Sequence, residues 1–331
     1  MSTLRDVARL AHVDISTVSR ALNNTSYVHP DTKARIYEAV KQLSYQPNLI
    51  AQGLRQGRLH LIAVIVPNIH MTIFAEIAQG IEKQARLMDY ETLFCDTEDN
   101  PAIEKESLER LRSGLVDGII IAATGYNTRL LLDIQASGIP IIQVVRNFEK
   151  SLNSVIADYF SCAYDSIKYL YKKGCRHMGL IVGDLEIEPF QQRYRGYHKA
   201  LKEYKLSVNV TEHKKNSNAF EEGYIGTNTL LEQDPKLDAI IAEVDTEGMG
   251  VIRALKERKL AFPEQIKVIS LTGYSIGNML ETSLTSMEMP GDEMGKSAAR
   301  ILIENVEEKD NKKAHIQHIV FNSTLVERET T

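Results

Sequence analysis

Short β-rich apolar runs alternate with helix-period segments over most of residues 61–331, and that alternation leaves few folds open. Candidate strands are Leu61–Pro67, Thr92–Cys95, Val116–Ala123, Pro140–Val145, Met178–Gly183, Asp238–Glu243, Lys267–Thr272 and Gln317–Phe321. Between them lie periodic segments such as Phe74-Ile77-Ile81-Ala85, 160–173, 191–204 and 246–259. Repeated βαβ units make parallel sheets covered by helices. So many units exceed one ordinary sheet, which predicts an α/β body of two doubly wound parallel-sheet subdomains. Ligands of such folds bind beyond the carboxyl ends of the strands.

The first 60 residues follow a different pattern. Leu4-Arg5-Asp6-Val7-Ala8-Arg9-Leu10-Ala11 reads as a helix with Val7, Leu10 and Ala11 as its buried stripe. His12-Val13 turns the chain and Asp14 stands at an N-cap position. A second helix from Ile15 to about Asn23 turns Val18, Ala21 and Leu22 inward and leaves Ile15, Ser16, Ser19 and Arg20 outward. Pro30-Asp31-Thr32 starts a third, with Ile36, Ala39, Val40 and Leu43 at helical spacing. Three short helices of this kind form a helix-turn-helix unit whose second helix enters the major groove. Arg20 can pair with guanine, Ser16 and Thr17 can donate or accept, and Ile15 can touch a thymine methyl.

Pro47-Asn48 then permits a further helix of about two turns, 49–56, with Gly53 inside it. So short a helix is marginal in water and glycine weakens it, so order without DNA is not expected. Leu54 is placed to act as an apolar wedge at a minor-groove base step.

Charge follows the same division. The first 60 residues hold eight Lys/Arg against four acids, a net +4; with −5 for the whole chain, the remainder carries −9. A basic head on an acidic body confines DNA contact to the head. Three cysteines, Cys95, Cys162 and Cys175, with no C-x-x-C spacing indicate neither a disulfide framework nor a zinc site, and fit a reducing cytoplasm. No apolar run approaches a membrane span.

Catalytic motifs are few. Gly273-Tyr274-Ser275-Ile276-Gly277 matches G-x-S-x-G after an expected strand, but no long striped helix follows it. Gly295-Lys296-Ser297 lacks the earlier glycine of a phosphate loop, where Pro290 stands. The nine histidines form no metal-binding spacing. Neither an enzyme nor a resident cofactor or metal is expected.

The ordered set Leu4-Arg5-Asp6-Val7-Ala8-Arg9-Leu10-Ala11, Ser16-Thr17-Val18-Ser19-Arg20-Ala21-Leu22-Asn23 and Pro47-Asn48…Ala51-Gln52-Gly53-Leu54 resembles the head of the lactose-repressor (LacI) family of bacterial transcription regulators. The resemblance continues through Phe74…Gly80-Ile81-Glu82, Val116-Asp117-Gly118-Ile119-Ile120, Gly138-Ile139-Pro140, Arg193…Gly196-Tyr197 and Thr285…Pro290…Glu293-Met294-Gly295. It implies that Ile15, Ser16 and Arg20 discriminate operators and that Tyr27, Thr32 and Asn48 support DNA contact. It makes Leu54 the minor-groove lever, beside Ala51 and Gln52, the latter standing where many members carry Arg. It implies a periplasmic-binding-protein-like body with an effector between its subdomains. Phe74 matches an effector-stacking position, Asp158 a hinge position, Arg193 one of two Arg positions and Gln191 the other. Asp245 follows an expected strand, Val244 replaces a usual Asn, and Thr272 stands where a sugar-binding Asp is common. Arg146, Arg193 and Arg195 leave room for an anionic ligand.

The expected organisation is a DNA-binding domain at 1–46, a hinge helix and linker at 47–60, and an effector and dimerisation domain at 61–331. Within the last, one subdomain takes about 61–159 plus 290–321 and the other about 160–289 plus 322–331. The expected function is a cytoplasmic, homodimeric repressor of carbohydrate-utilisation genes on a pseudo-palindromic operator, governed by a sugar or sugar phosphate. No leucine heptad follows 317–321, which favours a dimer over a tail-mediated tetramer. Two alternatives stay open: a solute-binding or sensor module whose head only tethers, and a Ser275 hydrolase.

Overall fold

The two sequence regimes fold as two units, Met1–Leu59 and His60–Thr331. The computed structural model describes residues 2–23, 26–46, 58–212, 218–273, 275–308 and 315–331. The expected hinge helix, with Asn48, Ala51, Gln52 and Leu54, lies outside the described residues.

In the first unit, α1 (Leu4–Leu10), α2 (Ile15–Asn23) and α3 (Pro30–Gln42) enclose a core of Val7, Ala8, Ala11, Val18, Ala21, Ile36 and Ala39. A reciprocal cap starts α1: the Asp6 N–H donates to Thr3 Oγ1, and the Thr3 N–H donates to the Asp6 carboxylate at 2.9 Å. The helix ends with the His12 N–H on the Arg9 carbonyl and the Val13 N–H on the Ala8 carbonyl, His12 taking φ +54°. Leu10 corrects the expected stripe, being 42% exposed while Ala8 is buried. At about 100° per residue, Leu4, Val7, Ala8 and Ala11 form one face and Leu10 points about 110° from its centre.

The second unit runs β1 (Leu61–Val66), α4 (Thr72–Leu87), β2 (Glu91–Asp96), α5 (Pro101–Leu111), β3 (Gly118–Ile121), α6 (Thr128–Ala136), β4 (Ile141–Val144) and β5 (Asn153–Ala157). It continues through α7 (Tyr159–Lys172), β6 (Met178–Val182), α8 (Glu188–Tyr204), β7 (Val208–Glu212), α9 (Ala219–Gln233), β8 (Ala239–Ala242), α10 (Asp245–Glu257) and β9 (Lys267–Gly273). It closes with α11 (Ser275–Met279), β10 (Thr285–Glu288), α12 (Gly291–Glu307), β11 (His318–Phe321) and β12 (Thr324–Val326). Two six-stranded sheets result, ordered β11-β5-β4-β3-β1-β2 and β12-β10-β9-β8-β6-β7, and all pairs are parallel except β10–β12. Each sheet is the floor of one lobe. The central strands are buried on both faces, which is why they read as continuous apolar runs: in β1, Ile62 to Val66 are all buried.

Helices cover both sheets, and the closest crossings are made by glycine. A Cβ on Gly80 of α4 would overlap the Asp292 carbonyl, and one on Gly295 of α12 would overlap that of Ile77. The second lobe repeats the device, with Gly223 of α9 against the Glu247 carbonyl and Gly250 of α10 against that of Phe220. The chain passes between the lobes after β5, after β10 and after β11, so neither lobe is one continuous stretch.

Candidate functional site

On the head, α2 presents the side chains singled out for base contact. Ile15 is 41% exposed, Ser16 and Arg20 are exposed, and Thr17 is half-buried, while Val18 and Ala21 anchor the opposite face. The Arg20 guanidinium lies back along the helix, donating from Nε to the Ser16 carbonyl at 3.2 Å and from a terminal nitrogen toward Ser16 Oγ and Thr17 Oγ1, both at 3.4 Å. These contacts are long and exposed, so reaching a guanine edge costs little. Tyr27 is 83% exposed and Thr32 stands in the first turn of α3, whose free N–H groups suit a phosphate.

In the body, a cavity of about 470 Å³ opens where the two sheets turn their carboxyl ends toward each other. Its walls come from segments at or after strand ends: Pro67 after β1, Asp96 at the end of β2 with Glu98 and Asp99 beyond it, Val145 and Arg146 after β4, Tyr159 after β5, Val244 after β8, Thr272 near the end of β9 and Met289 after β10. Phe74 from α4 and Phe190 and Arg193 from α8 complete it. Most of the remaining lining is apolar, including Met71, Ile73, Ile187 and Pro189.

Each lobe contributes one buried arginine, and each arginine is already paired. Arg146 donates to both carboxylate oxygens of Asp99 at 2.6 and 3.0 Å and to the Ala123 carbonyl. Arg193 donates to Glu243 Oε2 at 2.7 Å, to the Glu243 carbonyl and to Thr272 Oγ1 at 2.6 Å. Its guanidinium also faces the Tyr159 ring at 5.4 Å and the Phe190 ring at 5.9 Å. Burial disfavours this charge, but Glu243 beside it raises the guanidinium's pKa, so Arg193 stays protonated; burial pushes the Glu243 carboxyl up, opposed by the Arg193 charge. The Arg193 Nε–H, buried, has no acceptor among the described residues. Thr272 Oγ1 itself donates to the Glu243 carbonyl, so its hydroxyl belongs to this network. Across the cleft, the Asn147 N–H donates to Glu188 at 3.3 Å.

Four of the seven anticipated cleft residues, Phe74, Arg146, Arg193 and Thr272, therefore line the cavity. Three do not. Asp158 caps α7 by accepting from the Ser161 N–H, and Gln191 is exposed and accepts from Arg195. Asp245 is buried at the start of α10, where its neighbour Val244 reaches the cavity instead. Helical phase explains Gln191: two residues from Arg193 is about 200° around α8, so the two cannot share a face. Sequence reading missed the acidic residues Asp96, Glu98 and Asp99, and Glu243. Both groups lie at or just beyond the carboxyl end of an expected strand, which was the available signal. Ser275 begins a five-residue helix, not the long one a nucleophile elbow requires. Among the described residues, no group of three or more His, Cys, Asp or Glu side chains is placed to hold a metal ion, and no helix is long and apolar enough to cross a membrane.

Comparison with known proteins covers both units. Residues 3–48 match the profile of the bacterial regulatory proteins, lacI family, and residues 59–324 that of the periplasmic binding proteins and sugar binding domain of LacI family. The chain is 31% identical over 332 residues to the HTH-type transcriptional repressor PurR of Haemophilus influenzae (strain PittEE), covering 100% of this chain and 98% of that protein. It is 29% identical to the ribose operon repressor of Halalkalibacterium halodurans, covering 100% and 97%. Its fold is similar to the lac repressor dimer bound to operator and the anti-inducer ONPF, with TM-score 0.87 at 22% identity over 99% of this chain and 98% of that one.

Proposed function

The chain belongs to the lacI family of bacterial regulatory proteins, and on that footing we propose that it is a sequence-specific repressor whose operator affinity is set by a small molecule in the body's cleft. The observation that carries this reading is the presence of both parts in one chain: an exposed Ile15-Ser16-Arg20 face on α2 and a lined cavity at the carboxyl ends of two sheets. Its relatives' names, a ribose operon repressor among them, support a role in carbohydrate use. A homodimer on a pseudo-palindromic site fits the head, since one α2 reads only a half-site.

In this mechanism the effector changes how the lobes meet around the cavity, and that change alters the spacing of the paired 47–56 segments. Leu54 then enters or leaves the minor groove. Operator and effector must change each other's affinity by the same factor, because coupling free energy is reciprocal. Footprinting of the full chain and of Leu54→Ala tests the lever: weaker binding and reduced DNA bending are expected in the variant. Equal affinity with equal bending would remove Leu54 from the mechanism. Absence of any palindrome preference in a selection from random DNA would instead favour a sensor whose head only tethers.

A further inference from the structure

The cleft's charges restrict what it can hold. Its walls carry Asp96, Glu98 and Asp99, with Glu243 directly behind Arg193, against the two guanidiniums of Arg146 and Arg193. Four carboxylates against two cations leave a net −2. The distribution matters more than the sum. Arg146 and Arg193 are 7% and 3% exposed at their side chains, and each is held by a carboxylate of its own lobe. Neither can offer an unpaired charge to a ligand without first giving up its carboxylate partner, half-buried Asp99 or buried Glu243. Asp96 and Glu98 lie at the exposed rim, where Asp96 accepts from the Ile69 and Glu98 N–H groups. The inner walls are Phe74, Tyr159 and Phe190 with aliphatic neighbours. Aromatic faces and rim carboxylates attract cations and repel anions. Two buried donors on the lining have no partner among the described residues and can serve a neutral acceptor, the Arg193 Nε–H and the Tyr159 hydroxyl.

We propose that the ligand of this cleft carries no negative charge: it is an uncharged or amino-bearing compound with an apolar face, and phosphate esters are rejected. The sequence reading, in which Arg146, Arg193 and Arg195 leave room for an anionic ligand, is narrowed by this proposal. Arg195 is exposed and outside the cavity, and the other two are neutralised in place. This inference rests on the cavity being the effector site.

The test uses the full chain and matched probes in thermal-shift and calorimetric titrations: ribose with ribose 5-phosphate, glucose with glucosamine and glucose 6-phosphate, adenosine with its 5′-monophosphate, and inorganic phosphate alone. Any member that binds is expected to be the neutral or amino form, with its phosphate ester at least about tenfold weaker. Inorganic phosphate is expected to give no saturable shift beyond that of chloride at equal ionic strength. Asp99→Asn, which frees Arg146 at a partly exposed position, is expected to gain phosphate binding. A phosphate ester that binds more tightly than its parent, saturable phosphate binding lost in Arg146→Gln, or an Asp99→Asn variant no more receptive to phosphate would each overturn the proposal. Operator binding is scored separately by gel shift. A chain that ignores DNA yet shows this charge preference would defeat the regulator reading and leave the cleft inference standing.

Discussion

Glu76, on α4, shows how a single residue can tie stability to pH. Burial pushes its carboxyl up to about 7, and the nearby carboxylates of Glu288, Asp292 and Asp245 push in the same direction. Because the folded pKa exceeds the unfolded one, the folded chain binds the extra proton, and stability is lost as pH rises from about 4.5 to about 7. Glu76→Gln is expected to flatten that fall in melting temperature across the window, with solvent screening keeping the effect to about 1 kcal/mol. An unchanged slope would place the titration elsewhere. The Arg193–Glu243 pair, both buried, has a larger stake. Glu243→Ala leaves a buried guanidinium without its counter-charge and is expected to cost about 3–5 kcal/mol in urea unfolding. A loss under about 1 kcal/mol would mean that water reaches Arg193.

At the scale of elements, propensity and packing disagree at the glycine crossings, and packing wins. Glycine inside a helix costs about 1 kcal/mol relative to alanine, so propensity alone predicts that Gly80→Ala stabilises α4. The Asp292 carbonyl occupies the space that the new methyl group needs, and backbone cannot step aside as a side chain can. Gly80→Ala is therefore expected to destabilise by about 1–3 kcal/mol, read from denaturant midpoints. Stabilisation would show that α4 and α12 are not in contact in solution. Long-range partners also explain the strand β10, which the sequence pattern hid. Thr285 and Ser286 are fully buried yet polar, because the carboxyl-terminal segment satisfies them: Thr330 Oγ1 accepts from the Thr285 N–H, and Arg328 donates to Ser286 Oγ. Nothing within a short window announces partners more than forty residues away.

For the whole molecule, the basic head and acidic body predict where salt acts. Operator affinity is expected to fall steeply with ionic strength, by about three orders of magnitude between 50 and 200 mM if binding neutralises about six phosphates. Arg20→Ala should behave differently from a phosphate contact. It is expected to cost about 1–3 kcal/mol and relax base preference at one position of each half-site, with the salt slope nearly unchanged. Competition footprinting against single-base operator variants reads both.

Local periodicity was enough to place most strands, the parallel α/β class and the helices of the head, since burial of one face imposes a repeat that a short window can contain. It erred at Leu10, which points away from the face that Leu4, Val7, Ala8 and Ala11 share on α1. The cleft was only partly legible. Phe74, Arg193 and Thr272 were named from the resemblance and Arg146 as an arginine that leaves room for an anion, but their state was not legible. Whether an arginine offers charge to a ligand depends on which carboxylate sits against it, and Asp99 and Glu243 stand 47 and 50 residues from their partners. The sequence by itself determined a helix-turn-helix head and a two-sheet body, because both follow from local repeats. Only the tertiary structure decided that the cleft's cations are already neutralised, because ion pairing acts through space at a few ångströms and leaves no periodic trace along the chain.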